Sequence, residues 1–339
     1  MKLTRRRLLS AAAAAGGAAA LRRLALPLPA VQAAAHAAPG TARVALVKTS
    51  GHRDGVLRAL RLLPPLSLRD RSVVIKPNLN SSDPFPGSTH NETLQTLLEL
   101  CRAAGARDIV VADRSGMGNT ATVIRQKGID TLAGSLGARV VALDALPPTQ
   151  WLPKTIPGGH WRRGVLYPAL LERADVLIQT CCLKTHRFGG HFTLSLKNSV
   201  GMVAKVGPDG YDYMQELHGS PLQRTLIAEI NVLYRPAVVV LDGIEAFVEG
   251  GPEVGRLARP EVVLAGSDRV AIDAVGVALL RIHGATGPVA RGPIFAQDQI
   301  RRAVELGLGA PSPEAIELVT DSAEGEAVIR AVRTELGRA

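Results

Sequence analysis

The residues of this chain that are best suited to chemistry lie close together between Lys184 and Asn198. The stretch reads KTHRFGGHFTLSLKN and supplies Lys184, His186, Lys197 and Asn198 within fifteen positions. Imidazole titrates near neutrality, so His186 suits acid/base catalysis or metal ligation, and the lysines suit binding of a carboxylate or phosphate. Asn198 suits the orientation of a substrate carbonyl. We therefore predict that these four residues are catalytic; the alternative is a solvated edge strand with ordinary polar residues.

Polar and apolar residues alternate strictly from His191 to Lys197. Alternation with a period of two residues predicts a half-buried strand. Phe192, Leu194 and Leu196 would lie on its buried face. The opposite face would then present His191 and Lys197 to a ligand.

Further polar residues follow other predicted strands at the point where each strand ends. Lys76 and Asn78 follow one strand, Asp113 follows another, and Asp242 and Glu249 follow a third. Ligands of open α/β sheets bind beyond the carboxyl ends of the strands, so these positions predict one composite site. We assign binding of a small anionic substrate to Lys76, Asn78, Asp113 and Glu249. In the alternative, the lysines are paired with Asp113 or Asp242, because buried charges come in pairs.

A metal site is a further expectation, with His186, His218 and Asp242 as its ligands. Imidazole nitrogens and carboxylate oxygens are common metal ligands, although the spacing matches no recognised zinc pattern. Asp242 equally suits capping of the turn that follows it. The chain has three cysteines, too few for a four-cysteine cluster site, so we expect no cysteine-ligated iron–sulfur cluster.

The elements that must position these residues alternate between strands and helices. This alternation predicts an α/β fold with a mostly parallel sheet, helices on both faces and Rossmann-like layering. Residues 43–339 are expected to form a single α/β domain, closed by helices within residues 284–339. The apolar runs predict strands at residues 43–48, 72–76, 108–113, 140–144, 175–180, 237–242 and 261–265.

The N-terminal residues 1–38 resemble a twin-arginine export signal with an Ala-rich leader. Arg5-Arg6-Arg7 precedes an Ala/Leu-rich segment that is too short for a confident membrane span. This pattern predicts recognition by the twin-arginine translocation machinery and a location in the periplasm or cell envelope; the alternative is an Ala-rich tail with chance arginines.

The net charge of +10 is concentrated in the same leader. Residues 1–38 contain six basic residues and no acidic one, which leaves +4 on the remainder. That remainder is unremarkable for its size, and aromatic residues make up only 3% of the chain, which argues against surfaces that stack on bases. We therefore expect no nucleic-acid partner.

Five motifs occur in an order that resembles a known family. They are Lys76-Pro-Asn78, Lys184-Thr-His186, Thr193-Leu-Ser-Leu-Lys-Asn198, Asp242-Gly243 with Glu249-Gly-Gly-Pro252, and Asp268-Arg-Val-Ala-Ile-Asp273. This set is similar to that of the domain-of-unknown-function family numbered 362, over about residues 44–283. Many relatives carry ferredoxin-like cysteine segments and are described as iron–sulfur proteins, and this chain lacks those segments. A more distant architectural likeness is to the nickel-pincer lactate racemases, α/β proteins with histidines and lysines around a metal-bearing cofactor.

These observations favour an enzyme with a Lys/His/Asp site for a small anionic substrate. Redox or isomerase chemistry, with a metal ion or metallo-cofactor, is the first hypothesis. The second is a non-catalytic ligand-binding or cofactor-maturation factor of the cell envelope, and the third is an inert structural domain. Polar residues that recur at strand ends make the third hypothesis the weakest.

Overall fold

The computed structural model describes residues 41–338. The predicted twin-arginine leader, residues 1–38, lies outside the described residues. Within the described part there are twelve strands: β1 (Ala42–Lys48), β2 (Ser72–Lys76), β3 (Asp108–Asp113), β4 (Arg139–Ala142), β5 (Trp151–Lys154), β6 (Val165–Pro168), β7 (Val176–His186), β8 (His191–Thr193), β9 (Val238–Gly250), β10 (Gly255–Ala258), β11 (Val262–Gly266) and β12 (Ile316–Val319).

Helices connect and cover these strands. The same residues form eleven α-helices: α1 (His52–Arg61), α2 (Asn91–Ala103), α3 (Thr120–Gln126), α4 (Ile129–Ser135), α5 (Ala169–Glu172), α6 (Ser195–Asn198), α7 (Tyr213–Gly219), α8 (Gln223–Ile230), α9 (Arg269–Ile282), α10 (Asp298–Glu305) and α11 (Ala323–Leu336). No described helix is both long enough and apolar enough to cross a membrane.

One large sheet organises the fold, with the strand order β12-β1-β11-β9-β7-β2-β3-β4. All neighbours in this order are parallel except those of β11, which is antiparallel to both β1 and β9. Two short strands fold back on longer ones, β8 on β7 and β10 on β9, while β5 and β6 form a separate pair. The α/β fold with a mostly parallel sheet is confirmed.

Helices cover both faces of this sheet, as the two faces of β1 show. Val44 belongs to an apolar cluster that contains Val275 of α9, whereas its neighbour Ala45 belongs to a second cluster that contains Leu97 of α2. Successive side chains of a strand point to opposite faces, so a strand whose inner residues are all buried needs a cover on each side.

The two central strands extend further than their sequences predicted. The predicted ends were residues 180 and 242, where polar residues begin, but β7 continues to His186 and β9 to Gly250. Short antiparallel partners allow this extension, because β8 pairs with the end of β7 and β10 with the end of β9. The added backbone groups therefore have hydrogen-bond partners. Lys184 and His186 consequently lie within a strand and not in the loop after it.

The strand predicted over residues 191–197 is wrong in its second half. Strand β8 ends at Thr193, and α6 begins at Ser195. The Asp273 carboxylate of α9 accepts hydrogen bonds from the backbone N–H groups of Ser195 (2.8 Å) and Leu196 (3.1 Å), which favours a helical turn at this point. Phe192, Leu194 and Leu196 are fully buried as the alternation predicted, but Thr193 and Ser195, on the opposite face, are buried as well.

The closure within residues 284–339 is not entirely helical. Helices α10 and α11 form as predicted, but β12 lies between them and pairs in parallel with β1. Its sequence, IELV, alternates buried and partly exposed residues over only four positions. A run this short gives a weak periodic signal, and its partner lies at the other end of the described chain.

Candidate functional site

A cavity of about 200 Å³ opens where the carboxyl ends of β2, β3 and β7 meet α6. It is smaller than the roughly 300–1,000 Å³ pockets that hold drug-sized ligands, so its dimensions fit a compact ligand. Eight of the ten predicted site residues line it: Lys76, Asn78, Asp113, Lys184, His186, Lys197, Asn198 and His218.

Lys76 and Asp113 form a buried ion pair on the floor of the cavity. Lys76 Nζ lies 2.6 Å from Asp113 Oδ1 and donates to Asn198 Oδ1 at 3.0 Å. The Asp113 carboxylate also accepts from the backbone N–H groups of Leu79 (2.6 Å) and Arg114 (2.7 Å). These donors favour the ionised carboxylate, although burial raises the pKa of Asp113. The predicted alternative of a paired lysine therefore holds for Lys76.

Lys184 is buried, and no described residue supplies a carboxylate partner for it. Its Nζ donates to Asn78 Oδ1 at 3.0 Å and to the carbonyl oxygen of Gly87. Asn78 in turn approaches Asn198 Oδ1 at 3.4 Å, and Asn198 Nδ2 donates to the carbonyl oxygen of Thr180 at 3.0 Å. Burial lowers the pKa of Lys184. The two amide side chains therefore link the two lysines into one network.

Lys197 differs from the other cavity lysines because its amine is not engaged. Among the residues the structure describes, its Nζ has no hydrogen-bond or ion-pair partner. Burial and then the neighbouring charges of Lys184 and Arg114 lower the pKa of Lys197 to about 7. A large fraction of this amine is therefore neutral at physiological pH, which is the form that acts as a base or nucleophile.

His186 lies beside Lys197 and is held in its neutral form. A Cβ atom placed at Gly190 would lie 2.7 Å from Lys197 Cε and 3.0 Å from His186 Nδ1, so both side chains border the same small space. Burial, followed by the charges of Lys197 and Lys184, lowers the pKa of His186 far below its ordinary value. The glycine at position 190 keeps this space open.

Several polar atoms around this space lack a partner within residues 41–338. They are His186 Nδ1, Thr193 Oγ1 and Asn80 Nδ2, each buried and each on a residue that lines the cavity. Buried polar groups in native proteins are nearly always hydrogen-bonded, and leaving one unpaired costs about 1–3 kcal/mol. These three atoms are therefore available to hydrogen-bond to water or to a polar ligand.

The charge of the cavity is strongly positive. Five cationic side chains line it against the single carboxylate of Asp113: Lys76, Arg114, Lys184, Lys197 and Lys205. Burial lowers the pKa of Arg114 to about 10, so the guanidinium stays charged at neutral pH. It donates from Nε to the carbonyl oxygen of Val203 at 2.7 Å.

Sequence reasoning missed Asn80, Arg114 and Lys205. The rule that selected Lys76 and Asp113 also applies to Asn80 and Arg114, which follow the same two strands. Lys205 carries no comparable signal, because it lies in the glycine-containing loop after α6 and follows no strand. Its Nζ donates to the carbonyl oxygen of Gly118 at 3.1 Å, beside the cavity.

Asp242 does not reach the cavity, so the predicted metal set of His186, His218 and Asp242 is not assembled. Its Oδ2 accepts from His52 Nδ1 at 2.7 Å and from Thr93 Oγ1 at 2.5 Å. These contacts hold it beneath a separate, more open cavity of about 440 Å³ that His52 helps to line. His218 stands exposed at the rim of the first cavity.

The other metal-ligand candidates give no alternative set. Across residues 41–338, no group of three or more His, Cys, Asp or Glu side chains is placed to hold a metal ion. Cys101, Cys181 and Cys182 are buried. Burial raises the pKa of Cys101 to about 12 and that of Cys182 to about 11, which disfavours the thiolate form that ligates metals.

Glu249 is the second predicted residue that the cavity does not include. Strand β9 continues past its expected end and carries Glu249 onto the β9–β10 hairpin, where its side chain is 58% exposed. Its Oε2 lies 3.3 Å from Nε of Arg256. The structure therefore places Glu249 outside this cavity, because β9 ends eight residues beyond its expected end at residue 242.

Comparison with known proteins matches this geometry to a family. The model of a family described as Domain of unknown function (DUF362) matches residues 73–278, which include every strand that contributes to the cavity floor. The chain belongs to this family. No curated protein matches the sequence. A solved structure of the lactate racemase apoprotein from Thermoanaerobacterium thermosaccharolyticum is similar at 14% identity and a TM-score of 0.40, over 85% of each chain.

Proposed function

We propose that this DUF362 protein is an enzyme that acts on a small carboxylate, with Lys197 and His186 as its catalytic pair. The observation that carries the proposal is the unengaged Lys197 amine beside the unpartnered His186 Nδ1, in a cavity whose other cations already donate to protein oxygens. Groups that only stabilise the fold would be expected to bond to one another, as Lys76 and Asp113 do.

The positive charge of the cavity supports an anionic substrate. Even with Lys197 neutral, four cationic side chains line the cavity against one carboxylate, which favours a bound negative charge, and the small volume suits a few-carbon acid. The unpartnered Asn80 Nδ2 and Thr193 Oγ1 supply hydrogen-bond donors for carboxylate oxygens. Lys184 and Arg114 contribute through their charge, since their own donors are occupied by protein oxygens.

Proton transfer of the isomerase type is the chemistry that these groups suit. The neutral Lys197 amine accepts a proton from a carbon close to the substrate carboxylate, and the neutral His186 ring hydrogen-bonds to a substrate oxygen there. Negative charge that develops on the substrate is stabilised by the fixed cations around it. Return of the proton to the opposite face of the carbon completes an isomerisation, whereas return to the same face restores the substrate.

The test is hydrogen–deuterium exchange into candidate substrates. The full chain is incubated in deuterated buffer with 2-hydroxy acids, 2-oxo acids and dicarboxylates, and NMR follows loss of carbon-bound protons. We expect exchange in at least one acid, and loss of that exchange in Lys197→Met. Lys154→Met is the matched control, because Lys154 lies outside the cavity and pairs with Glu172 at 2.7 Å.

Calorimetry on the same acids separates the two leading hypotheses. Tight binding with no exchange in any acid would contradict catalysis and support the non-catalytic ligand-binding or cofactor-maturation role. If no acid of the panel binds and none exchanges, the proposal that the cavity binds an anion would be contradicted.

We also propose that the protein is exported by the twin-arginine pathway to the periplasm or cell envelope. The Arg5-Arg6 pair and the Ala-rich segment after it support this proposal. Fusion of residues 1–38 to a reporter that folds before export tests it, and replacing both arginines by lysine should retain the reporter in the cytoplasm. Export that survives this change would contradict the assignment.

A further inference from the structure

We infer that Lys197 forms an imine with the carbonyl carbon of a small 2-oxo acid bound in the cavity. This inference rests on the proposed function, because it takes the same anion-binding cavity and names the class of substrate. It adds a covalent step for acids that carry a 2-oxo group, and with these acids Lys197 acts as the nucleophile and not as the base.

The first support is that Lys197 is sterically and electrostatically available. In the described chain the other cavity cations are all engaged: Lys76 by Asp113, Lys184 by the Gly87 carbonyl oxygen, and the remaining two by backbone carbonyl oxygens. Lys197 alone among them has no such partner. A nucleophile must approach carbon without first breaking a bond to the protein, and this amine meets that condition.

The second support is that, among residues 41–338, no counter-charge pairs with this amine. Lys184 and Arg114 are the charged groups whose fields act most strongly on Lys197, and both are cations. If the role of this lysine were to form an ion pair with a ligand, the site would be expected to keep its ammonium group charged. Burial beside like charges instead favours the free amine, an arrangement that proteins use to activate lysines towards carbonyl groups.

The third support is the arrangement of donors for the rest of the substrate. A 2-oxo acid carries its carboxylate on the carbon next to the carbonyl group, so one anchor positions both. Asn80 Nδ2 and Thr193 Oγ1 are buried donors without partners in the described structure, and they suit the carboxylate. His186 Nδ1, beside Lys197, suits the carbonyl oxygen.

The covalent step balances without any co-reactant. The lone pair of Lys197 Nζ attacks the carbonyl carbon, the C–N bond forms, and the carbonyl π electrons move to oxygen. The nitrogen then gives up two protons and the carbon–oxygen bond breaks, so the oxygen leaves as water. The product is an imine of the 2-oxo acid with no change of oxidation state, and water reverses the reaction.

Trapping with borohydride tests this step. The full chain is incubated with pyruvate or glyoxylate, reduced with borohydride and examined by intact-mass and peptide mass spectrometry. We expect one reduced adduct per chain, located on the peptide that contains Lys197. Lys197→Arg, which keeps a cation but has no nucleophilic amine, should lose the adduct, and Lys154→Arg, outside the cavity, should keep it.

A competition experiment keeps the test valid if Lys197→Arg fails to fold. In the wild-type chain, an excess of propionate should protect Lys197 from trapping by pyruvate, because it occupies the anchor without offering a carbonyl group. Adducts spread over surface lysines would overturn the inference. An adduct on Lys197 whose yield stays the same in excess propionate would also overturn it.

Calorimetry with pyruvate and propionate distinguishes the two proposals. If both acids bind and no adduct forms on Lys197, the imine is wrong and the anion-binding enzyme survives. If neither of them nor any other acid of the panel binds, both proposals fall. Binding of both acids with a single adduct on Lys197 supports both.

Discussion

Lys76 and Lys197 border the same cavity, but their electrostatic environments are opposite. Lys76 is neutralised at 2.6 Å by Asp113, whereas Lys197 faces two further cations and has no carboxylate partner in the described structure. The first arrangement stabilises a buried charge, and the second disfavours one. The distinction separates a lysine that maintains the site from a lysine that is free to react.

Removal of the Asp113 charge should destabilise the fold. In Asp113→Asn the buried Lys76 ammonium loses its counter-charge, and breaking a buried pair in this way costs about 3–5 kcal/mol. Urea unfolding measures the loss. The matched control is Glu249→Gln, whose exposed pair with Arg256 should contribute less than about 1 kcal/mol. Equal effects of the two substitutions would contradict the buried pair.

Lys197→Met should stabilise the protein most at low pH. The pKa of Lys197 is about 7 in the folded chain against 10.5 as the ordinary value, so the unfolded chain binds more protons between these values. Wild-type stability from this residue therefore rises with pH across that window and is lowest below pH 7. Urea unfolding at about pH 6 and about pH 9 should show a larger gain for the variant at the lower pH. A gain that is equal at both values would rule out the lowered pKa.

At the scale of elements, the site depends on how α6 is held. This helix is one turn long and carries both Lys197 and Asn198, and its first N–H groups donate to Asp273 of the long helix α9. A helix this short has little stability of its own. Its position is therefore set by contacts from outside it.

Asp273→Ala should consequently lower both stability and ligand affinity. It leaves the N–H groups of Ser195 and Leu196 without their acceptor, at a cost of about 1–3 kcal/mol, and releases the turn that carries Lys197. Asp268→Ala is the matched control on α9, because it too removes an acceptor from two backbone N–H groups, those of Ala271 and Ala310, but does not contact α6. We expect unfolding experiments to show comparable losses, and calorimetry to show reduced affinity only for Asp273→Ala. Unchanged affinity in both would contradict the positioning role.

The sequence predicted strand ends correctly where a residue that disfavours strands follows. It predicted them less well where pairing with another strand extends the element. Strand β2 ends before Pro77, and both β2 and β3 have the predicted boundaries. The extension of β7 to His186 depends on pairing with β8, a tertiary contact that local periodicity does not contain. For the same reason the alternation of residues 191–197 predicted a strand where α6 forms, and it did not predict the burial of Thr193 and Ser195.

The same limit explains the two site residues that were misplaced. Asp242 and Glu249 follow an apolar run, just as Asp113 does, and the local pattern is the same. Their different environments arise because β9 extends into a hairpin and because Asp242 meets His52 from a distant part of the chain. Lys76 and Asp113, by contrast, lie where β2 and β3 end as predicted, and both line the cavity.

On the scale of the whole molecule, the C-terminal segment completes the sheet beyond the part that the family model covers. Strand β12 pairs with β1, and Ile329 and Val332 of α11 lie in the same apolar cluster as α9. Deletion of residues 311–339 should therefore expose the edge of β1 and one face of the core, giving an aggregated or unfolded chain in size-exclusion chromatography and circular dichroism. Among the described residues, Arg338 contributes an exposed guanidinium that pairs with Glu335 and a backbone N–H that donates to the Glu335 carbonyl oxygen, so deletion of residues 338–339 alone should be tolerated. A folded, monodisperse product of the longer deletion would contradict this view.

Cationic side chains outnumber carboxylates around the cavity, so binding of an anion is favoured by charge. Like charges are held together there by the rigid sheet, and any anion that enters relieves their repulsion. A substrate present at a hundred times its Kd would raise the free energy of unfolding by about 2.7 kcal/mol. Ligand binding can therefore be detected as an increase in stability, and a thermal-shift screen of small acids ranks candidates without an activity assay. Phosphate or sulfate in the buffer would compete for the same cavity and should be left out.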